Sequence, residues 1–292
     1  MDFGICLPNF PDGASREGIE AAAEVAVRLG WSTAWTTDHV LVDHAAEPEY
    51  GRIYEAILTL AWVGARFPAL KLGTSVIVVP PRDAVLLAKE LATLDSLTGG
   101  RVIAGVGGGW HEREFANMGH GDRFRVRGAY LDEAIRLWRH LWSGSQEPFH
   151  GRFHTLDDFV FGPLPDQGAG LPIYVGGRAE AALRRVGRLA DGYHSSGTGP
   201  TKYGERLPII RAAAEEAGRP MPILTARTPV QLGRTDDDGY YAMRGDPRAV
   251  ASEIRAFAAL GVTHLALWFE VTDPAAIVAA AERFNEEVVP LI

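Results

Sequence analysis

Eight short apolar runs alternate along this 292-residue chain with segments of helical spacing. The runs cover residues 3–7, 31–37, 72–79, 101–107, 173–175, 191–196, 223–232 and 264–269, and most end in Gly, Pro or small polar residues. Between them lie amphipathic stripes such as Leu87, Leu91 and Leu94, or Leu131, Ile135, Trp138 and Trp142. Ser15, Asp83, Asp246 and Asp273 stand where side-chain oxygens can cap helix starts, the last two followed by Pro. Alternation of this kind implies parallel βα units, because a crossover helix is needed between parallel strands. Eight units close most economically into a (β/α)8 TIM barrel, and about 250 residues is usual for that fold as one domain, here taken as residues 1–292. An open doubly wound sheet is the alternative. The longest interruption, residues 143–170, reads as an insertion after the fourth strand-helix unit. Residues 149–154 and 159–161 are expected to form a two-stranded flap within it.

Bulk properties narrow the function. The net charge of -8 gives no basic footprint for nucleic acid, so an anionic ligand needs local donors. The single cysteine, Cys6, rules out an internal disulfide and reads as inert core. No apolar run approaches the roughly 20 residues of a membrane span, and the start Met1-Asp-Phe-Gly-Ile lacks a basic signal region. These features point to a cytoplasmic protein without membrane contact.

In a barrel the working residues follow the strands. Those positions hold Pro8 and Asn9; Asp38 and His39; Ser75 and Val76; Gly107, Gly108, Gly109 and Trp110; Gly176, Gly177 and Arg178; Ser195 to Thr198; Arg227 and Thr228; and Glu270. Asp38-His39 is the only adjacent acid and imidazole at a strand end, and imidazole exchanges a proton near neutral pH. Asp38 either orients the ring or contacts the ligand; a capped loop with both groups in water is the plain reading. Gly73-Thr74-Ser75 suggests small side chains where something flat lies close. Gly107-Gly-Gly-Trp110 ends a strand where backbone can approach a ligand, or is merely a tight turn. Gly176-Gly177-Arg178 at a helix start, with Ser195, Ser196 and Gly197 at the next strand end, offers amides, hydroxyls and a guanidinium to a phosphate.

Two other chemistries are disfavoured. Ligand-type side chains occur at His39, His44, His111, His120, Asp38 and Glu112, but without short ligand spacing, so no metal is expected. No Gly-x-Ser-x-Gly elbow is present for acyl hydrolysis.

The chain also resembles the bacterial luciferase-like superfamily of flavin and deazaflavin oxidoreductases. The resemblance is carried by Gly4-Ile-Cys-Leu-Pro8, Trp35-Thr-Thr-Asp-His39, Leu72-Gly-Thr-Ser-Val-Ile-Val-Val79, residues 88–101, Gly107-Gly-Gly-Trp110, Ile173-Tyr-Val-Gly-Gly177 and Leu189-Ala-Asp-Gly192, in that order. It implies a barrel that binds coenzyme F-420 or, alternatively, FMN. Gly107-Gly-Gly-Trp110 and the segment from Gly151 to Pro165 look most like the F-420 branch. It also implies a cis peptide at Ser75-Val76 behind the cofactor ring, and an active-site histidine at His39 beside Asp38. Ser75, Val76 and Gly107 to Gly109 would then hold the ring, and Gly176 to Arg178 with Ser195 to Gly197 its phosphate. Trp110, Trp35 and the 40–55 loop would wall a small organic substrate. In similar enzymes that oxidise sugar phosphates a glutamate acts where Trp110 stands here, which argues against that substrate; neither Glu112 nor Glu114 is assigned a role. Hydride transfer with F-420, FMN monooxygenation with a partner reductase, and cofactor binding without catalysis are the three functions considered, in that order of preference. A homodimer is expected by the same resemblance.

Overall fold

The structure is a computed structural model that describes residues 1–10, 13–236 and 239–292. In chain order the strands are β1 (Asp2–Cys6), β2 (Thr33–Thr36), β3 (Lys71–Thr74), β4 (Ile77–Val78), β5 (Val102–Gly107), β6 (Phe149–His150), β7 (Thr155–Leu156), β8 (Ile173–Val175), β9 (Gly192–Ser196), β10 (Ile223–Leu232), β11 (Met243–Gly245) and β12 (Val262–Trp268). The α-helices are α1 (Arg16–Arg28), α2 (Glu47–Tyr50), α3 (Ala56–Arg66), α4 (Ala84–Thr98), α5 (Glu112–Asn117), α6 (Arg127–Trp142), α7 (Glu180–Leu189), α8 (Pro200–Gly204), α9 (Leu207–Glu216), α10 (Pro247–Ala259) and α11 (Pro274–Glu287).

Strands β1, β2, β3, β5, β8, β9, β10 and β12 pair in parallel in that order, and β12 returns to β1, so the ring is closed. The expected barrel is thus present and the open sheet is excluded. The caps behave as the sequence predicts: Ser15, Asp83, Asp246 and Asp273 each accept the backbone N–H three residues on. The apolar stripes turn inward; Leu87, Leu91, Leu131, Ile135, Trp138 and Trp142 are all buried in one continuous layer between strands and helices.

The barrel interior is a second, smaller core of Cys6, Trp35, Ile103, Tyr174 and Ala266. Large rings fit inside because glycines face them. A Cβ on Gly73 would sit 2.3 Å from the Trp35 ring, and one on Gly192 would sit 2.4 Å from Tyr174. The flat object against Gly73 is therefore Trp35 itself. This tryptophan is 1% exposed and forms the floor of the barrel, not a substrate wall.

Several local expectations are corrected. The run 72–79 is two strands, β3 and β4, separated at Ser75-Val76, where the peptide bond is cis. The flap partner of Phe149–His150 is Thr155–Leu156; residues 159–161 form no strand. Residues after β9 hold two helices, α8 and α9, and the 40–55 loop carries α2. The short α5 had no periodic signal, being under two turns long. The flap is fastened by Glu133 of α6, whose carboxylate accepts the amides of Arg152, Phe153 and His154 and bonds His154 Nδ1 at 2.9 Å. No helix among the described residues is long and apolar enough to cross a membrane.

Candidate active site at the barrel mouth

Asp38 and His39 lie directly after β2, 3% and 6% exposed. Adjacent in sequence, they act separately. Asp38 Oδ2 accepts the Val78 amide at 2.9 Å and its Oδ1 takes Arg82 Nη2 at 2.6 Å. It thereby ties the end of β2 to the β3–β4 bend and does not orient the imidazole.

The partner of His39 is Glu114 on α5, an acid to which the sequence alone assigns no role. Its Oε2 is 2.8 Å from His39 Nδ1, and Oε1 accepts the Val40 amide at 2.6 Å. An ionised carboxylate can only accept, so Nδ1 carries the hydrogen and Nε2 is the nitrogen left for exchange. Burial pushes the Glu114 carboxyl up, but the bonds from His39 and Val40 outweigh it and hold the group below the ordinary glutamate value. Nothing in the sequence separates Glu114 from Glu112; only the turn of α5 does. Trp110 stands over this unit, 60% exposed, its ring 5.7 Å from His39, and Tyr50 lies 4.3 Å from the imidazole.

Across the ring, β9 and β10 reach back to the bend. His194 Nε2 is 2.8 Å from Ser75 Oγ, and Nδ1 is 2.8 Å from Thr225 Oγ1. The His194 ring stacks on Trp35 at 4.4 Å, and Trp35 Nε1 donates to His264 at 3.0 Å. Burial, with the charges of His264 and Arg227, pushes His194 down to about 3, so it is neutral in use. Ser75 is thus held from below and from the far wall, and Val76 projects half-exposed into the mouth.

The glycines divide by role. A Cβ on Gly107 would meet Val76 Cγ2 at 2.7 Å, and one on Gly176 would meet Val76 Cγ1 at 3.1 Å. These two make room for Val76. Gly109 has φ +76 and its Cβ would meet Val78 and Phe115, so it serves the turn and its packing. Only Gly108 has open space beside it, with nothing nearer than Arg127 Cγ at 3.8 Å.

Of the phosphate-type residues, Gly177, Arg178, Ser196 and Gly197 are brought together, while Gly176 packs against Val76 and Ser195 is buried. Arg178 Nη2 donates to the Ser196 carbonyl at 3.1 Å, and a Cβ on Gly197 would lie 3.3 Å from the same nitrogen. Gly177 is exposed beside them. Ser195 is 1% exposed and its hydroxyl is engaged by Arg206 Nη1 at 3.1 Å, a nitrogen shared with Tyr193 and Thr198. It braces the loop from beneath. Arg178, Gly197, Thr198, Lys202, Arg206 and Tyr240 line a cavity of about 480 Å³. Three cations against one carboxylate, Glu253, make that cavity suited to an anion. No cluster of three metal-ligand side chains occurs among the described residues.

Comparison with known proteins decides the lineage: the model of the family described as luciferase-like monooxygenase matches residues 1–244. The chain belongs to this family. Among similar proteins, the F420-dependent glucose-6-phosphate dehydrogenase of Nocardia farcinica is 30% identical over 290 residues, covering 96% of this chain and 81% of its own. Two solved structures share the fold. The coenzyme F420 dependent tetrahydromethanopterin reductase from Methanopyrus kandleri superposes with a TM-score of 0.81 at 20% identity, over 99% of this chain and 98% of that one. A type II Baeyer-Villiger monooxygenase from the CAM plasmid of Pseudomonas putida, in complex with FMN, superposes with a TM-score of 0.79 at 17% identity, over 100% and 98%.

Proposed function

We propose that this luciferase-like protein is an oxidoreductase that holds coenzyme F420 in the barrel mouth and exchanges a hydride between it and a small organic substrate. The observation carrying this reading is one mouth with two unlike ends. A buried imidazole fixed by a carboxylate stands after β2, and a cation-lined cavity opens after β8 and β9. A flat molecule with a phosphate tail spans such a mouth. The donor set fits: Ser75 and Val76 offer a ledge, Gly108 leaves backbone open, and Arg178, Ser196, Gly197 and Lys202 suit the anionic tail.

Bound there, the coenzyme supplies a two-electron hydride donor or acceptor. The protein's share is placement and one proton. Nε2 of His39 takes the proton released when the substrate is oxidised and returns it in the reverse direction. Glu114 keeps Nδ1 as the donor throughout. Trp110 and Tyr50 border the substrate side of His39. Trp110, standing where similar sugar-phosphate dehydrogenases use an acid, directs the reading away from glucose 6-phosphate. We also read residues 143–170 as an insertion held on by Glu133. Exposed Leu58, Leu86 and Leu97 on α3 and α4 support pairing of two copies through those helices.

Anaerobic titration of the purified protein with F420 and with FMN, followed by absorbance, tests this. Saturable F420 binding with hydride transfer is the expected result. The FMN monooxygenase reading is favoured by the FMN-bound neighbour; turnover with reduced FMN and oxygen, and none with F420, establishes it instead.

A further inference from the structure

Arg227 belongs to none of the roles above, and its position is unusual. It lies on β10, the seventh strand of the ring, yet its Nη1 is 3.3 Å from the carbonyl of Ser75 on the opposite side. It is 8% exposed. Its guanidinium is 5.3 Å from the Phe10 ring and 4.8 Å from the Trp268 ring; those two rings lie 5.3 Å from each other, so both stand on the same side of it. A buried cation is normally paired. Arg82 has Asp38, and Arg185 has Asp132. Among the described residues no carboxylate forms an ion pair with Arg227. Its neighbours are neutral instead: burial pushes the Cys6 thiol up to about 11, and His194 is uncharged. Of its five N–H donors, those that are bonded meet neutral groups, the Ser75 carbonyl and the Cys6 sulfur.

We propose that Arg227 is the anion receptor of the mouth, binding the delocalised O–C–O or N–C–O edge of a planar ligand seated on Ser75-Val76. The rigid fork matches such an edge with two parallel hydrogen bonds, and the adjoining aromatic pair restrains it on one side. This rests on the functional reading above, in that it takes the mouth as the ligand site. The same chemistry has two sources. One is the pyrimidine edge of the coenzyme, which becomes more electron-rich when reduction adds a hydride to the ring; the other is a carboxylate or enolate of the substrate.

The test measures equilibrium binding on three proteins, wild type, Arg227→Met and Arg227→Lys, each checked for an unchanged thermal midpoint. The probes are oxidised F420, reduced F420 under anaerobic conditions, and benzoate against benzamide with F420 saturating. Arg227→Met is expected to weaken the anionic probe about 10- to 100-fold, the loss of a charge-assisted hydrogen bond, with Arg227→Lys intermediate. Loss confined to reduced F420 assigns the coenzyme as source; loss confined to benzoate assigns the substrate. Equal effects on all probes, or none, overturn the proposal. If Arg227→Met does not fold, wild-type preferences decide: a reduced-over-oxidised or benzoate-over-benzamide ratio below about tenfold in both pairs rejects it. Wild-type protein that binds F420 in neither state rejects the functional reading separately, and benzoate against benzamide without coenzyme then decides for Arg227.

Discussion

On the β2–β3 side of the mouth the charges are already spent within the chain, whereas on the β8–β9 side they are held ready at the surface. Asp38, His39 and Glu114 are each no more than 6% exposed, and each has a bonded partner. Arg178 and Lys202 are exposed around an open cavity. The first arrangement fixes a geometry before any ligand arrives, at a desolvation cost met by internal bonds. The second leaves attraction for an incoming anion and little rigidity. On the function proposed, chemistry that depends on tenths of an ångström falls to the first half and capture to the second.

The sharpest way to break this contrast is His39→Ala. Loss of a general acid–base group costs about 10²- to 10⁴-fold in kcat. F420 affinity should stay within about twofold, because the imidazole belongs to the proton path and not to capture. If kcat survives, the protein binds coenzyme without using His39, and the division of labour fails. Glu114→Gln sharpens the same point. The amide keeps the shape but can present a donor to Nδ1, loosening the tautomer. A fall of about tenfold in kcat, with coenzyme affinity and thermal midpoint unchanged, marks Glu114 as a positioning residue. An equal fall in affinity would make it merely structural.

Arg178→Ala addresses the other half and should have the reverse signature. A charge-assisted contact to phosphate at an exposed site is worth about 1.4 kcal/mol, or about tenfold in coenzyme Kd. At saturating coenzyme kcat should be unchanged. Raising the salt should weaken the wild type and narrow its gap to the variant, since exposed charges are screened. A variant that loses kcat instead would place Arg178 with the chemistry.

How much of this was legible beforehand follows from where each signal lives. The barrel was legible because each buried strand must be apolar and each helix must carry a stripe, and both leave a period in the sequence. The 88–101 segment, which helps carry the family resemblance, turns out to be structural. Asp95 accepts the amides of Val102 and Gln167, and Arg101 donates to carbonyls of Gly64, Phe67, Leu70 and Thr98, stapling the closed end of the barrel. His39 was legible as a strand-end imidazole. Arg227 was legible only as a strand-end position and Glu114 only as a nearby acid, because their contacts span 152 and 75 positions that no local period records. The glycines share one physical reason. Gly73, Gly107 and Gly176 signal close approach, of Trp35 to the first and of Val76 to the other two.

The floor shared by both halves offers the smallest effect and a pH test. His194 is neutral when folded, with its pKa pushed down to about 3 by burial. In the unfolded chain it titrates near the ordinary 6.5. Below pH 6.5 the unfolded state therefore binds a proton that the folded state refuses. Stability from this group is fully present above pH 6.5 and is lost progressively as pH falls toward about 3. One such proton is worth about 1.4 kcal/mol per pH unit, so moving from pH 6 to 4.5 should cost about 2 kcal/mol. His194→Gln cannot titrate. It should start lower at pH 7, having lost its stacking on Trp35, but its urea midpoint should fall less steeply between pH 6 and 4.5. Parallel slopes in the two proteins would mean that His194 is charged in the folded state, and the floor beneath Ser75 would then carry a second cation beside Arg227.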